Sequence, residues 1–432
     1  DGATDDRFGC SVDIEGDTAL IGANRDDGRG STYAFIRNGG NWSHQAKLTA
    51  DDGVVLDFFG WSVSLDGDRA LIGAVRDDIN YFQQVGSAYL FTRIDAVWSQ
   101  VAKISPKGAL LGYSLSSDRD RLLVGAYRED TAAGCEAGCA YVFVHTTNWG
   151  LQAKLDADDA GTGDAFGISV ALDGDTALVG AYHNDAAGDN AGAAYVFACS
   201  ATNWMQQAKL AAAEIAAGDC FGRSVALDSN IALVGSYYCK IDGQANAGAA
   251  YVFERDGAHW IQTAKLHASD AGSYDYFGSS AAVFGDTALI GAVYSDGTGG
   301  PETGSAYVFL REGSNWIQQA KLCASDGRIW DYFGCSVAVD GDTALIGAYQ
   351  IYYTYGGAAY VFVRNDGNWT QQAKLLPDTT TWNDYRFGCA VALDGNLALV
   401  GASRQNAAYL FARGGTNWSY IQKLTGYDDG YF

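Results

Sequence analysis

The sequence predicts an all-β chain built as a β-propeller, and three observations predict it. One stretch recurs eight times, starting at Phe8, Phe59, Leu111, Phe166, Phe221, Phe277, Phe333 and Phe387, with copies 51 to 56 residues apart. Each copy carries four segments with strand patterning. Large aromatic residues fall at the same register in every copy. A period in the range of roughly 40–55 residues with β patterning marks a propeller rather than a helical solenoid. The expected architecture is eight four-stranded antiparallel blades, with residues 1–432 as a single propeller domain. The alternative is seven blades with one degenerate repeat, because the third copy opens with "LGYS" at Leu111–Ser114 where the others open with FG.

The fourth copy shows the elements in order. In "ISVALDG", Ile168, Val170 and Leu172 alternate with Ser169, Ala171 and Asp173, the period of two of a strand. Asp173-Gly174 is a tight hairpin signal. "TALVGAY" is a short, mostly apolar second strand, followed by a polar loop rich in Gly and Asp. "GAAYVFA" is a third strand with Tyr195 and Phe197 on one face. A turn then leads to "NWMQQAKL", the fourth strand.

Trp42, Trp98, Trp149, Trp204, Trp260, Trp316, Trp369 and Trp418 open the fourth strands, and a Tyr recurs in every third strand, as at Tyr33 and Tyr195. Such residues suit the wedge between blades, where both sheet faces are buried. A blade cannot bury its faces alone, so each copy needs neighbours. A Lys recurs in the fourth strand, from Lys47 to Lys423. On an outer edge, Lys is expected to block edge-to-edge pairing.

Composition narrows the function classes. Fifty-five Gly against three Pro fits many tight turns. A net charge of −23 repels duplex nucleic acid and anionic membranes. No apolar run approaches the roughly 18–20 residues that span a bilayer. The expected partners are other proteins, copies of the same chain, or glycans. The chain opens at Asp1 rather than Met, as expected of a mature or trimmed product. Of nine Cys, Cys135 and Cys139 share the loop "GCEAGC" and are the candidate disulfide; Cys10, Cys335 and Cys389 each follow an FG.

The motifs "FGxSVALDGDTALVGA", "GAAYVF" and "WxQQAKL" resemble the FG-GAP repeat of extracellular and cell-surface proteins, over essentially the whole chain, and more distantly the blades of integrin α-subunits. The resemblance implies a propeller with adhesion, matrix or recognition roles, located outside the cell, and implies no catalytic activity. Integrin-like propellers hold calcium in a loop between the first two strands. Here that loop has shrunk to "LDGD" (Leu172–Asp175), so those calcium sites are not carried over.

Candidate sites lie elsewhere. In a propeller, the second-to-third loops and the blade-to-blade loops share one face, and here that face collects acids. Asp156, Asp158, Asp159 and Asp164 fall in one loop; Asp51, Asp52 and Asp57, Asp270 and Asp275, and Asp326 and Asp331 fall in its counterparts. Calcium takes six to eight oxygens from a flexible Gly-containing loop, which makes these the candidate calcium ligands. The competing reading is Asp closing turns onto backbone N–H groups. Sequons at Asn41, Asn368 and Asn417 precede fourth strands and are candidate glycosylation sites. Trp61, Trp330 and Trp382 stand outside the repeat register and are candidate sugar-stacking residues. The five His share no register, and no nucleophile elbow, Walker loop or HExxH motif is present. The expected function is therefore a non-catalytic extracellular structural or adhesion protein, a protein–protein interaction propeller, with a surface filament or matrix as its setting. A lectin-like propeller is the alternative, and a propeller hydrolase or lyase the minor one.

Overall fold

A computed structural model describes residues 5–77, 85–105, 110–146, 149–350, 356–377 and 386–426. It contains eight four-stranded antiparallel sheets arranged as a β-propeller, each built from four consecutive strands in sequence order. The third repeat forms a complete sheet, which excludes the seven-bladed alternative. Its first strand is shortened to Leu115–Asp118. Among the described residues the helical content is a single three-residue 3-10 turn, Asp26–Gly28.

Blade four shows how the repeat dictates the sheet. Its strands are Phe166–Asp173, Thr176–Ala181, Ala193–Ser200 and Asn203–Leu210. The second strand is buried throughout, which explains why it reads as an apolar run rather than an alternation. The Phe of the FG motif pairs with Ala181, and the register then slips before Val170↔Val179. Gly167 sits in this irregularity at φ +94°, where a Cβ would lie 2.4 Å from the Cys139 carbonyl oxygen of blade three. Glycine is required there by both conformation and proximity.

The remaining repeat residues build the joint between blades. Ser169 Oγ donates to the Gly222 carbonyl of blade five at 2.8 Å, and Ser11→Gly60, Ser114→Gly167 and Ser224→Gly278 repeat the bond at 2.9, 2.9 and 2.8 Å. Trp204 Nε1 donates to Gln152 of the preceding blade at 2.8 Å, as Trp98 does to Gln45 at 2.7 Å. The core is correspondingly distributed. Leu123, Val142 and Leu155 of blade three pack with Phe166, Val179, Tyr195 and Phe197 of blade four as one buried cluster.

The chain packs as two compact units. One comprises Asp1–Tyr113, Gly347–Val361 and Gln372–Phe432; the other comprises Ser114–Ile346 and Phe362–Gln371. In the first, blade eight packs directly on blade one without exchanging strands. Leu399 and Leu410 share a cluster with Phe8 and Tyr33, and Arg7 N donates to Asn406 Oδ1 at 2.7 Å. The second holds blades three to six, joined by the serine and tryptophan bonds just described.

Candidate functional site

The acidic loops are the first candidate, and many of their carboxylates are already engaged. In blade four, Tyr195 Oη donates to Asp159 Oδ1 at 2.8 Å, and Lys209 Nζ donates to Asp159 Oδ2 at 2.5 Å. The same Nζ donates to Asn184 Oδ1 at 2.9 Å and lies 5.4 Å from the Tyr195 ring centroid. In blade six, Tyr307 donates to Asp270 at 2.9 Å and Lys321 to the same carboxylate at 2.6 Å. In blade two, Tyr89 and Lys103 both serve Asp52 and Asp77. In blade three, Glu129 takes the acid's place, accepting from Tyr141 and pairing with Lys154. Burial pushes Asp52, Asp159 and Asp270 upward, but hydrogen bonds from Lys and Tyr outweigh it and hold all three below the usual carboxylate range.

The strand-four lysines therefore do more than guard an edge: in these blades each neutralises a loop acid above a buried tyrosine. A second set of acids closes turns. Asp57, Asp164, Asp275 and Asp331 accept from the backbone N–H three residues earlier, at 2.5, 2.8, 2.7 and 2.7 Å. Asp158 and Asp51 use their own backbone N–H groups on Gln206 and Gln100. Asp156 lies 3.5 Å from Lys154, and Asp326 is exposed. A calcium cage needs oxygens free to converge. Among the described residues no three His, Cys, Asp or Glu are placed to hold a metal.

The other candidates separate. Cys135 and Cys139 are free thiols: Cys135 is exposed, while Cys139 is buried and donates to Glu129 Oε2 at 3.0 Å. The expected bridge is corrected accordingly: one sulfur stands at the exposed loop and the other is buried against Glu129. Asn41, Asn368 and Asn417 are all exposed at the start of fourth strands. Trp61 is half-buried against Phe58 and Tyr113. Trp382 lies outside the described residues.

Trp330 leads to a site the sequence did not assemble. It is 40% exposed, and its indole N–H donates to Glu302 Oε2 at 2.5 Å. Glu302 lines a cleft of about 510 Å³ with Tyr274, Asp275, Tyr276, Tyr294, Asp296 and Pro301. The cleft is the exposed end of a tyrosine row. Tyr276 meets Tyr238 at 5.5 Å, Tyr274 at 6.4 Å and Tyr294 at 5.2 Å between centroids, and Tyr294 meets Tyr332 at 5.0 Å. The contacts are edge-to-face, the geometry favoured by the ring quadrupole. Tyr274 is 55% and Ile329 45% exposed. Burial, then the nearby Asp296 and Asp270 charges, pushes Asp275 up to about 6, with Gly272 N–H and Lys321 opposing. The row draws on blades five, six and seven. The clue in the sequence was the residue before FG, which becomes Tyr at Tyr276 and Tyr332.

FG-GAP repeats match residues 1–35, 42–91, 98–143, 149–197, 204–253, 260–309, 316–362 and 369–411. No curated protein matches the chain. Among solved structures, the fold is similar to the periplasmic gluconolactonase PpgL of Pseudomonas aeruginosa, with a TM-score of 0.52 and 12% identity, over 83% of this chain and 95% of that one. That similarity corrects the expectation that the chain is no enzyme: the propeller scaffold carries a lactonase, so the missing linear motifs do not exclude catalysis. No helix among the described residues is long and apolar enough to cross a membrane. With eight repeat matches spread along its length, the chain belongs to the FG-GAP repeat family.

Proposed function

We propose that this propeller is an adhesion-type recognition protein that binds a protein partner through the tyrosine-lined cleft. The observation that carries the reading is the exposed patch of Tyr274, Ile329 and Trp330 beside Tyr276 and Tyr294. Tyr and Trp are the anchors most enriched in protein interfaces, and contiguous apolar exposure is unusual on an inert surface. Asp296, Glu302 and the net charge favour a cationic partner. FG-GAP membership and the periplasmic setting of the similar structure support a place outside the cytoplasm, where Asn41, Asn368 and Asn417 suit glycan attachment. A filament or matrix is the setting in which such a patch would be used repeatedly.

Panning a random peptide display library on the immobilised full chain tests the reading. The expected result is enrichment of peptides carrying Arg or Lys beside apolar residues, with affinity falling by about tenfold or more in Tyr274→Ala and Trp330→Ala. A library that enriches nothing, or peptides indifferent to both substitutions, would overturn it. A propeller hydrolase is the second reading, favoured by Asp275 at about 6 in the same cleft. Lactone hydrolysis by the intact chain that disappears in Asp275→Asn would move the assignment to it.

A further inference from the structure

The first unit gathers arginines that make no ion pair among the described residues. Several arginines on strands are matched by acids: Arg37 with Asp17, Arg93 with Asp68, Arg121 with Asp175, Arg364 with Asp342. Arg7, Arg25, Arg76 and Arg386 differ. Among the described residues, none of their guanidinium groups makes an ion pair or a hydrogen bond. Yet they stand together. Arg7 is half-buried, and after burial itself the Arg25 and Arg386 charges lower its pKa, with Cys10 and Asp5 opposing.

Aromatic rings complete the cluster. The guanidinium carbons of Arg25 and Arg76 lie 5.9 and 4.9 Å from the Phe58 ring centroid. Phe58 stacks on Trp61 at 6.5 Å with 23° between planes, and Trp61 meets Tyr113 at 5.8 Å. The repeat explains the convergence. Arg7, Phe58 and Arg386 each stand directly before an FG, with φ of 59°, 58° and 70°. Arg25 and Arg76 each stand two residues after a Gly-Ala. Blades eight, one and two thus present the same two positions side by side.

Unpaired like charges in one place repel unless an anion relieves them. A guanidinium stacked on an aromatic face keeps its N–H edge free for a planar oxyanion. A dense polyanion is disfavoured, because the chain as a whole carries −23. A ligand with one carboxylate on a ring-shaped body satisfies both conditions, its C–H face resting on Trp61 or Phe58. We propose that Arg7, Arg25, Arg76 and Arg386, with Phe58 and Trp61, form a binding site for the carboxylate of a uronic-acid sugar. The site is independent of the tyrosine-lined cleft.

Isothermal titration calorimetry of the full chain with digalacturonate, with the corresponding neutral disaccharide, and with inorganic sulfate tests the proposal. Arg25 and Arg76 are exposed, so Arg25→Gln and Arg76→Gln leave the fold intact. Digalacturonate is expected to bind at least about tenfold more tightly than the neutral sugar, and each Gln variant to lose about tenfold as its charge-assisted hydrogen bond is removed. Absence of digalacturonate binding at millimolar concentration, equal binding of the neutral sugar, or binding unchanged in both variants would overturn the site. Sulfate binding as tightly as digalacturonate would overturn the sugar assignment.

Discussion

At the scale of single residues, the acids of this protein are structural before they are anything else. Glu129 is 3% exposed and receives Tyr141, Cys139 and Lys154. Glu129→Ala would leave the Tyr141 hydroxyl and the Cys139 thiol without their acceptor, and the Lys154 ammonium with Asp156 alone. It should cost about 3 kcal/mol in denaturant unfolding, whereas Asp158→Ala, on an exposed side chain, should be near neutral. Titration separates two groups of carboxylates. Asp13 and Asp275 are pushed up to about 6, first by burial. Against an ordinary value near ~3.9, the folded state holds more protons than the unfolded one between these limits. That stabilisation is fully present below the ordinary value and is lost as pH rises through 6. Asp52, Asp159 and Asp270, held low, behave oppositely: their contribution is present above the ordinary value and fails as pH falls through their folded pKa. His183, lowered by burial, partly offsets the first group. Calorimetry should therefore find a melting temperature a few degrees higher at pH 5 than at pH 7, and a steep fall well below pH 4. A monotonic rise from acid to neutral would contradict this. The turn-closing role of Asp57, Asp164, Asp275 and Asp331 was legible in the sequence as a competing reading; the lysine partners and the titration were not. An acidic loop reads alike whether it faces a metal or a lysine, and Lys209 lies 50 residues beyond Asp159.

At the scale of the strand and the joint, much was legible. Alternation at Ile168, Val170 and Leu172 marked the first strand, and the fixed Trp and Tyr positions marked the interblade wedge. The chemistry of the joint was not, because each bond spans two repeats. The Ser three residues after the Phe of FG donates to the next blade's FG glycine, so Ser169→Ala should cost about 1 kcal/mol. Gly167→Ala forces a Cβ against the Cys139 carbonyl at positive φ, and should cost several times more. Blade eight carries Ala390 at the serine position, and Cys389 Sγ lies 3.5 Å from the Gly9 carbonyl instead. Ala390→Ser restores the common hydroxyl there and should be neutral or stabilising by up to ~1 kcal/mol. Thermal unfolding of the three variants checks the order.

At the scale of the whole molecule, eight copies of one blade were legible because each repeat states its strands in full. The third copy misled only at its opening, where Leu111 replaces Phe yet is equally buried. The recognition surface was less legible because it is made of departures from the repeat. Tyr238, Tyr276, Tyr294 and Tyr332 belong to three blades, and only folding sets them edge to face. Trp330 was visible as an outlier, but the Glu302 that holds it was not. The central claim is that this tyrosine-lined cleft is where a protein partner binds. Hydrogen–deuterium exchange of the full chain, with and without a peptide selected on it, tests this most directly. Protection confined to residues 272–302 and 328–332, and abolished in Trp330→Ala, is the predicted result. Protection elsewhere with those segments unchanged would contradict it.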